Sequence, residues 1–224
     1  MAEIVMIMGE SGSGKSASLR SFAPGEVCVL NVAGKRLPFR NQFGKNVVTN
    51  ADYGMIVKAV RSGKYKAYVI DDSQYLMAFE AFAKAKEIGY QKFTDMALNF
   101  YNMLMACKHA TVWNKNPDGT YTDTGKSTDD TVVYFLHHID RDESGVVKPK
   151  TQGRMLDEKL NVAGLFTTVL LAGTDGKEYW FETKNDGNSV VKTPMDMFED
   201  AKIPNDLKLV DMTIRAYYGM EELK

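Results

Sequence analysis

The most informative stretch of the chain is Gly9-Glu10-Ser11-Gly12-Ser13-Gly14-Lys15-Ser16, which follows an apolar run at residues 3–8. The run predicts a buried strand, and the stretch matches G-x-x-x-x-G-K-S, the pattern of a phosphate-binding loop. Its glycines let the backbone approach a phosphate, and its exposed N–H groups form a nest for an anion. A Gly/Ser-rich turn after a strand is the structural alternative. Because residues 17–22 can start a helix, the strand, loop and helix together favour a nucleoside-triphosphate site.

The positions of the loop have distinct expected roles. Lys15 reaches the β- and γ-phosphates, which makes it a candidate catalytic residue, and the Ser16 hydroxyl is a candidate ligand for Mg²⁺. The predicted nucleotide-binding residues are Gly9, Glu10, Ser11, Gly12, Ser13, Gly14, Lys15, Ser16 and Ala17.

A second apolar run, residues 67–70, ends in Asp71-Asp72. An acid at the end of a buried strand is the expected second half of a phosphate-loop site, where it holds Mg²⁺. Asp71 follows the run directly and is therefore the better metal candidate. Asp72 is a candidate for polarising the attacking water, and equally for capping the next helix.

A third apolar run, residues 131–136, predicts a buried strand that ends at His137-His138. Ligands of open α/β sheets bind outside the carboxyl ends of the strands, so a polar side chain there can sense a γ-phosphate. His138 is the candidate for this catalytic role, and a pair of loop histidines is the alternative. A metal site at these histidines is not expected, because His109 is the only other histidine and no cysteine cluster accompanies them.

Two polar segments lie between the predicted strands. Residues 114–130 lack apolar periodicity and predict a mobile loop or a small exposed hairpin. Residues 146–154 carry Lys148, Lys150 and Arg154 without an acid. A charge run of this kind is usually a solvated face, but its place directly after the proposed sensor strand makes a functional role equally plausible.

The end of the chain predicts a hairpin and a helix. Strands at residues 165–172 and 177–184 flank Gly173-Thr174-Asp175-Gly176, which has the chemistry of a hairpin turn. A last helix begins after Asp206 and ends near Gly219. Since there is no repeat, low-complexity tract or linker, we expect residues 1–224 to form a single domain.

Composition limits the classes of protein that the chain can belong to. It has 224 residues, 44% of them hydrophobic, and a net charge of −1, so any nucleic-acid surface must come from local clustering. Cys28 and Cys107 lack metal-ligand spacing and are expected to be buried thiols in a reducing compartment. No apolar run approaches the ~18 residues of a membrane span, and no signal peptide is evident. A cytoplasmic location without membrane contact is therefore expected.

With these motifs placed, the chain resembles the small phage-encoded ATP-binding proteins with a RecA-like core. They are grouped with AAA-type ATPases and described as single-strand annealing or recombination proteins. The matching pieces are residues 9–16, 34–39, 69–73, 133–138, 150–156 and 203–207, so the resemblance spans nearly the whole chain. The phosphate loop is specific for nucleotide binding but not for this family.

The resemblance implies a RecA-like P-loop NTPase fold, with a mostly parallel central sheet flanked by helices and a C-terminal β-hairpin plus helix. It implies ATP and Mg²⁺ as cofactors, and single-stranded DNA as partner in phage recombination or annealing. It also implies a homo-oligomer, working with phage recombination or single-strand-binding proteins. In RecA-like proteins the loop after the sensor strand contacts DNA, which makes Lys148, Lys150 and Arg154 the candidate DNA-binding residues.

Two departures from that family keep other functions open. RecA-type ATPases place a catalytic glutamate after the second strand, whereas this strand ends in Asn31-Val32. Hydrolysis then relies on Asp72 or is slow, and a nucleotide-gated binding module with little turnover is one alternative. The segment 114–130 is also longer than expected for the family. A small-molecule or nucleotide kinase is the other alternative, although kinases usually carry an Arg-rich lid and this segment has no Arg.

Overall fold

The computed structural model describes residues 1–40, 42–153 and 160–223. The strands are β1 (Glu3–Gly9), β2 (Val27–Asn31), β3 (Val47–Thr49), β4 (Ala67–Asp71), β5 (Thr111–Lys115), β6 (Tyr121–Ser127), β7 (Val132–Arg141), β8 (Val147–Pro149), β9 (Thr168–Thr174), β10 (Tyr179–Glu182) and β11 (Lys202–Pro204). The α-helices are α1 (Tyr53–Arg61), α2 (Tyr75–Ala83), α3 (Gln91–Lys108) and α4 (Leu207–Tyr218). Short 3₁₀ helices occur at Ser16–Ser21, Gly44–Asn46 and Val162–Leu165.

The strands form a mixed sheet whose centre is parallel. Within the described residues, nine strands join in the order β11-β10-β9-β1-β7-β4-β2-β3, with β8 paired to β7. All neighbours from β9 to β3 are parallel, whereas β10 pairs with β9 and β11 in antiparallel fashion. The mostly parallel central sheet flanked by helices is therefore confirmed, and the predicted C-terminal hairpin and helix are present as β9, β10 and α4.

Both faces of the central strands are buried, which explains why they are continuous apolar runs. Along β1, Met6 and Met8 pack in the cluster beneath α1, α2 and α3, while Val5 and Ile7 pack in the cluster beneath α4. Successive side chains of a strand point to opposite faces, so each face needs its own apolar partners. The two core clusters hold the sheet rigidly between its helices.

The carboxyl ends of the central strands meet at one edge of the sheet. Gly9 at the end of β1 lies opposite His138 on β7, and Asn31 at the end of β2 lies opposite Asp71 on β4. The register therefore brings the phosphate-loop stretch, the acidic pair and the histidines to the same edge, which is where ligands of such sheets bind.

The segment after the loop differs from expectation in helix type. It forms a 3₁₀ helix of six residues, Ser16–Ser21, instead of an α-helix. The Ser18 hydroxyl donates to the Lys15 carbonyl at 2.6 Å, which competes with helical backbone bonding, and Pro24 prevents extension. Across the described ranges, no helix combines the length and apolar character that a membrane span needs.

Candidate functional site

The phosphate-loop stretch turns tightly between β1 and the 3₁₀ helix. Gly12 and Gly14 have φ of 82° and 89°, in the left-handed region that favours glycine. A Cβ on Gly9 would lie 2.5 Å from Ser13 Oγ and 2.9 Å from the Ala172 carbonyl oxygen, so only glycine fits there. The sequence pattern thus meets a real steric requirement at each of these positions.

Lys15 lies inside this loop. Its ammonium donates to the carbonyl oxygens of Gly9 at 2.8 Å and Glu10 at 2.7 Å, and the residue is 6% exposed. Burial lowers the pKa of Lys15 to about 8, although the nearby carboxylates of Asp72 and Asp71 oppose that shift. The Lys15 side chain is therefore mostly protonated at neutral pH and places a positive charge in the loop.

Ser16 and Asp71, the two candidate metal ligands, are in contact with each other. Ser16 Oγ donates to Asp71 Oδ1 at 2.7 Å, across the gap between the loop and the end of β4. Burial raises the pKa of Asp71 to about 6, and the hydrogen bond from Ser16 works against this rise. A hydroxyl and a buried carboxylate side by side are hard oxygen ligands that fit Mg²⁺, which takes few protein ligands when phosphates complete its shell.

Asp72 lies beside this pair with a different environment. Lys35 Nζ is 2.6 Å from Asp72 Oδ2, and His138 Nε2 is 3.4 Å from Asp72 Oδ1. Burial raises the pKa of Asp72, but the hydrogen bonds from His138 and Lys35 outweigh it and hold the pKa below its usual value. Its φ of 62° is one that aspartate tolerates better than most residues. Asp72 is thus an ionised carboxylate at the cleft.

The two histidines have separate environments. His137 is fully buried, and because a carbonyl can only accept, Nε2 carries the proton donated to the Lys150 carbonyl oxygen at 2.7 Å. Its Nδ1 is then an acceptor and lies 2.8 Å from Ser73 Oγ, whose single proton is shared between this nitrogen and the Leu136 carbonyl oxygen at 3.0 Å. Burial lowers the pKa of His137 to about 4, so the ring stays neutral. His138, which is partly exposed beside Asp72, is the histidine that lines the cleft.

These groups surround a cleft of about 520 Å³. Sequence reasoning missed two contributors to its walls, the loop after β2 and Tyr179 on β10. The lining residues from those elements are Lys35, Arg36, Pro38 and Tyr179. The sequence did show that the loop after β2 is basic. A signal for Lys35 also existed, because it follows β2, whose carboxyl end lies beside the carboxyl end of β4, the strand that ends in the acidic pair. No local pattern indicated Tyr179.

Two of the three candidate DNA-binding residues lie at or next to β8. Lys148 lies in β8, opposite Asp140 on β7, and the backbone N–H of Lys150 donates to the His138 carbonyl oxygen at 2.9 Å. The Lys150 side chain is exposed. Arg154 lies outside the described residues. Lys148 is therefore held in a strand, because the turn at residues 142–146 pairs the chain back onto β7.

The other polar segment forms the hairpin of β5 and β6, which confirms the exposed-hairpin alternative. Among the described residues, no group of three or more His, Cys, Asp or Glu side chains is arranged to hold a metal. No protein-family model and no curated protein sequence matches the chain.

Proposed function

We propose that this protein is an ATP-binding, Mg²⁺-dependent ATPase that acts on single-stranded DNA in phage DNA recombination or annealing. The observation that carries the nucleotide part is the assembly of Lys15, the Ser16–Asp71 pair and the glycine turn at the carboxyl edge of the sheet. Together they offer backbone N–H groups, a cation and hard oxygen ligands within one cleft.

In the proposed complex, ATP binds through the phosphate loop at residues 9–16. The phosphates of ATP replace the carbonyl oxygens of Gly9 and Glu10 as partners of the Lys15 ammonium, which neutralises their charge. Ser16 Oγ and Asp71 Oδ1 would hold Mg²⁺. When bound, the metal neutralises charge on the β- and γ-phosphate oxygens.

Hydrolysis depends on Asp72. Its carboxylate polarises the water that attacks the γ-phosphate, while His138 Nε2, 3.4 Å from Asp72 Oδ1, senses the γ-phosphate. Lys35 already binds the same carboxylate at 2.6 Å, so Asp72 is held by two partners before any substrate arrives. The end of β2 supplies no acid, because its last residue is Asn31. The Asn31 side chain donates to the Lys35 carbonyl oxygen at 2.6 Å. We therefore expect slow basal turnover, which keeps the nucleotide-gated module as a second candidate function.

The DNA partner and the assembly rest on the resemblance. Lys150 is exposed at the end of β8, next to His138, where it can contact a DNA phosphate or, in a homo-oligomer, the nucleotide of a neighbouring subunit.

Phosphate release tests the proposal against its rivals. ATP turnover is measured alone, with single-stranded DNA, and with a panel of nucleoside monophosphates. Turnover that rises with DNA and stays unaffected by the monophosphates is expected. Transfer of phosphate to a monophosphate would identify a kinase, and ATP binding without turnover under all conditions would identify a nucleotide-gated module.

A further inference from the structure

A second concave site is lined by residues other than those of the nucleotide cleft. It is a groove of about 730 Å³ between α1, α3 and the hairpin of β5 and β6, and we call it the hairpin groove. Among the described residues, no residue lines both sites. The end of α1 leads into the start of β4, and β6 leads into β7, so the groove lies towards the amino ends of the parallel strands.

The groove combines aromatic rings with cations. The Arg61 guanidinium lies over the Trp113 ring at 4.0 Å, and Lys58 Nζ lies 5.6 Å from the centre of the Tyr121 ring. The two rings are 6.1 Å apart and tilted by 39°. Tyr121 is 39% exposed and Trp113 is half-buried, so both rings present area to solvent instead of filling a core.

The charged side chains that line the groove are all cations. Its described lining includes Lys58, Arg61 and Lys115 but no carboxylate. Two acids border the groove, and both are already hydrogen-bonded. Glu80 accepts from Asn99 in the groove wall at 2.7 Å and binds Lys84 at 2.8 Å, and Asp123, opposite Trp113 in the hairpin, accepts from the Thr111 hydroxyl at 2.6 Å. Two exposed amide side chains, Asn99 and Asn102, add neutral donors and acceptors to the wall formed by α3.

The hairpin is held against α1 by close packing. A Cβ on Gly63 would lie 2.7 Å from Val112 Cγ2, so the backbone after α1 approaches β5 closely. The Thr124 hydroxyl donates to the Val112 carbonyl oxygen at 2.7 Å within the hairpin. The rings and cations are therefore presented by a fixed surface.

We propose that the hairpin groove is a binding site for single-stranded DNA, with a base stacked on Trp113 or Tyr121 and phosphates neutralised by Lys58, Arg61 and Lys115. Exposed rings beside cations match the two chemical faces of an unpaired nucleotide strand, whereas the bases of a duplex are already stacked. An acidic protein partner would use the cations but would leave the rings without a matching surface. The inference rests on the proposed partner of this protein, and it moves the main contact away from Lys148 and Lys150.

Fluorescence of Trp113 tests the site directly. Trp113 and Trp180 are the two tryptophans of the chain, so Trp180→Phe leaves Trp113 as the sole reporter. Titration with an oligothymidylate of about 16 nucleotides, the upper range for one binding module, should change its emission. A duplex of the same length should change it far less.

Substitutions then separate stacking from charge. Trp113→Leu and Tyr121→Ser should each lower affinity for the oligonucleotide on the order of tenfold, the loss expected for one stacked base. The pair Lys58→Ala and Lys115→Ala should flatten the slope of log affinity against log salt by about 1.4, since each lost single-strand phosphate contact contributes about 0.7. Lys177→Ala is the control for lysine removal outside the groove: it takes one charge from the turn between β9 and β10, beyond β1 and β7 in the sheet, and should leave the slope unchanged.

The outcomes distinguish this inference from the nucleotide proposal. All groove variants should keep the ATP affinity of the wild-type protein. Unchanged oligonucleotide binding in both Trp113→Leu and the lysine pair overturns the inference, as does a wild-type protein that binds ATP but no single strand. A wild-type dimer that dissociates in Trp113→Leu, seen by sedimentation, would make the groove an interface between copies and would also overturn it. A wild-type protein that binds the single strand but not ATP would contradict the nucleotide proposal and leave this inference intact.

Discussion

The nucleotide cleft and the hairpin groove are built in different ways. The cleft consists of backbone groups and buried charges at strand ends, with Lys15 at 6% and Asp71 at 3% exposure. The groove consists of partly exposed side chains carried by α1, α3 and a hairpin, with Tyr121 at 39% exposure. Buried charges need fixed partners, whereas exposed rings and cations tolerate different occupants. The first construction suits one small anion with defined geometry, and the second suits a polymer without sequence preference.

The largest effect should come from Lys15→Ala. The substitution removes the ammonium that we propose binds the phosphates of ATP. Hydrogen bonds to charged groups contribute about 1.5–3 kcal/mol each, so ATP affinity should fall about 100-fold. A fluorescent ATP analogue measures the loss, with Lys177→Ala as the charge-matched control. The fold should persist in circular dichroism, and oligonucleotide binding in the hairpin groove should not change. Equal loss in both sites would break the comparison.

The acidic pair should divide binding from turnover. Asp71→Asn should weaken the Mg²⁺ dependence of ATP binding, because it replaces a carboxylate ligand with an amide. Asp72→Asn should keep ATP affinity and lower turnover about 100-fold, since a group that polarises the attacking water acts mainly in the transition state. Steady-state turnover and equilibrium binding are compared on the same preparations. Identical loss of affinity in the two variants would mean that their roles are not separated.

Acid should destabilise the cleft through His137. Its pKa of about 4 in the folded protein lies below the ordinary 6.5, so the unfolded chain binds the proton first. The contribution of neutral His137 to the unfolding free energy is therefore complete above pH 6.5 and is lost as the pH falls towards 4. The loss between pH 7 and pH 5 is about 2 kcal/mol. Urea unfolding at the two pH values should give a smaller difference for His137→Gln than for the wild type, whereas Tyr121→Ser in the groove should behave like the wild type. A His137→Gln variant with the same pH dependence as the wild type would contradict this assignment.

The smallest effect should come from Lys35→Ala. The ion pair with Asp72 has a lysine that is 60% exposed, and such pairs contribute about 1 kcal/mol or less. The unfolding free energy should therefore change little, while ATP affinity falls a few-fold because a cation leaves the cleft wall. Arg36→Ala, which removes a neighbouring cation without the Asp72 contact, serves as the comparison. A hundred-fold loss of ATP affinity in Lys35→Ala would contradict this ranking, because the loop after β2 would then contribute as much to ATP binding as Lys15.

The sequence indicated the phosphate loop, the acidic pair and His138 because these follow local patterns, whereas it did not indicate Lys35 or Tyr179 as residues of the cleft. Loop residues 9–16 have a fixed spacing, and Asp71, Asp72 and His138 directly follow apolar runs whose carboxyl ends share one edge. Alternation along β7 decides which histidine turns inward, but the sequence alone could not fix where that strand leaves the sheet. The structure places His137 inside and His138 at the cleft.

Contacts between distant residues that no motif connects could not be predicted from the sequence. The hairpin groove joins α1 to Trp113 through packing that no spacing encodes. The same holds for Arg215 on α4, which is 1% exposed and reaches the Lys66 carbonyl oxygen, 149 residues away, at 2.8 Å. Its partner Asp211 accepts from Tyr134 at 2.7 Å, so a buried polar network ties α4 to β7. A helix pattern predicts that one face is buried, but not that a guanidinium lies within it.

The central claim is that the cleft recognises the phosphates of a nucleotide together with Mg²⁺. Calorimetric titration of the wild-type protein with ATP, ADP and AMP, each with and without Mg²⁺, tests it most directly. One site per chain, affinity falling from ATP to ADP to AMP, and tighter ATP binding with Mg²⁺ are the predicted results. Absence of ATP binding, or AMP binding as tight as ATP binding with no effect of Mg²⁺, would contradict the assignment of Lys15, Ser16 and Asp71.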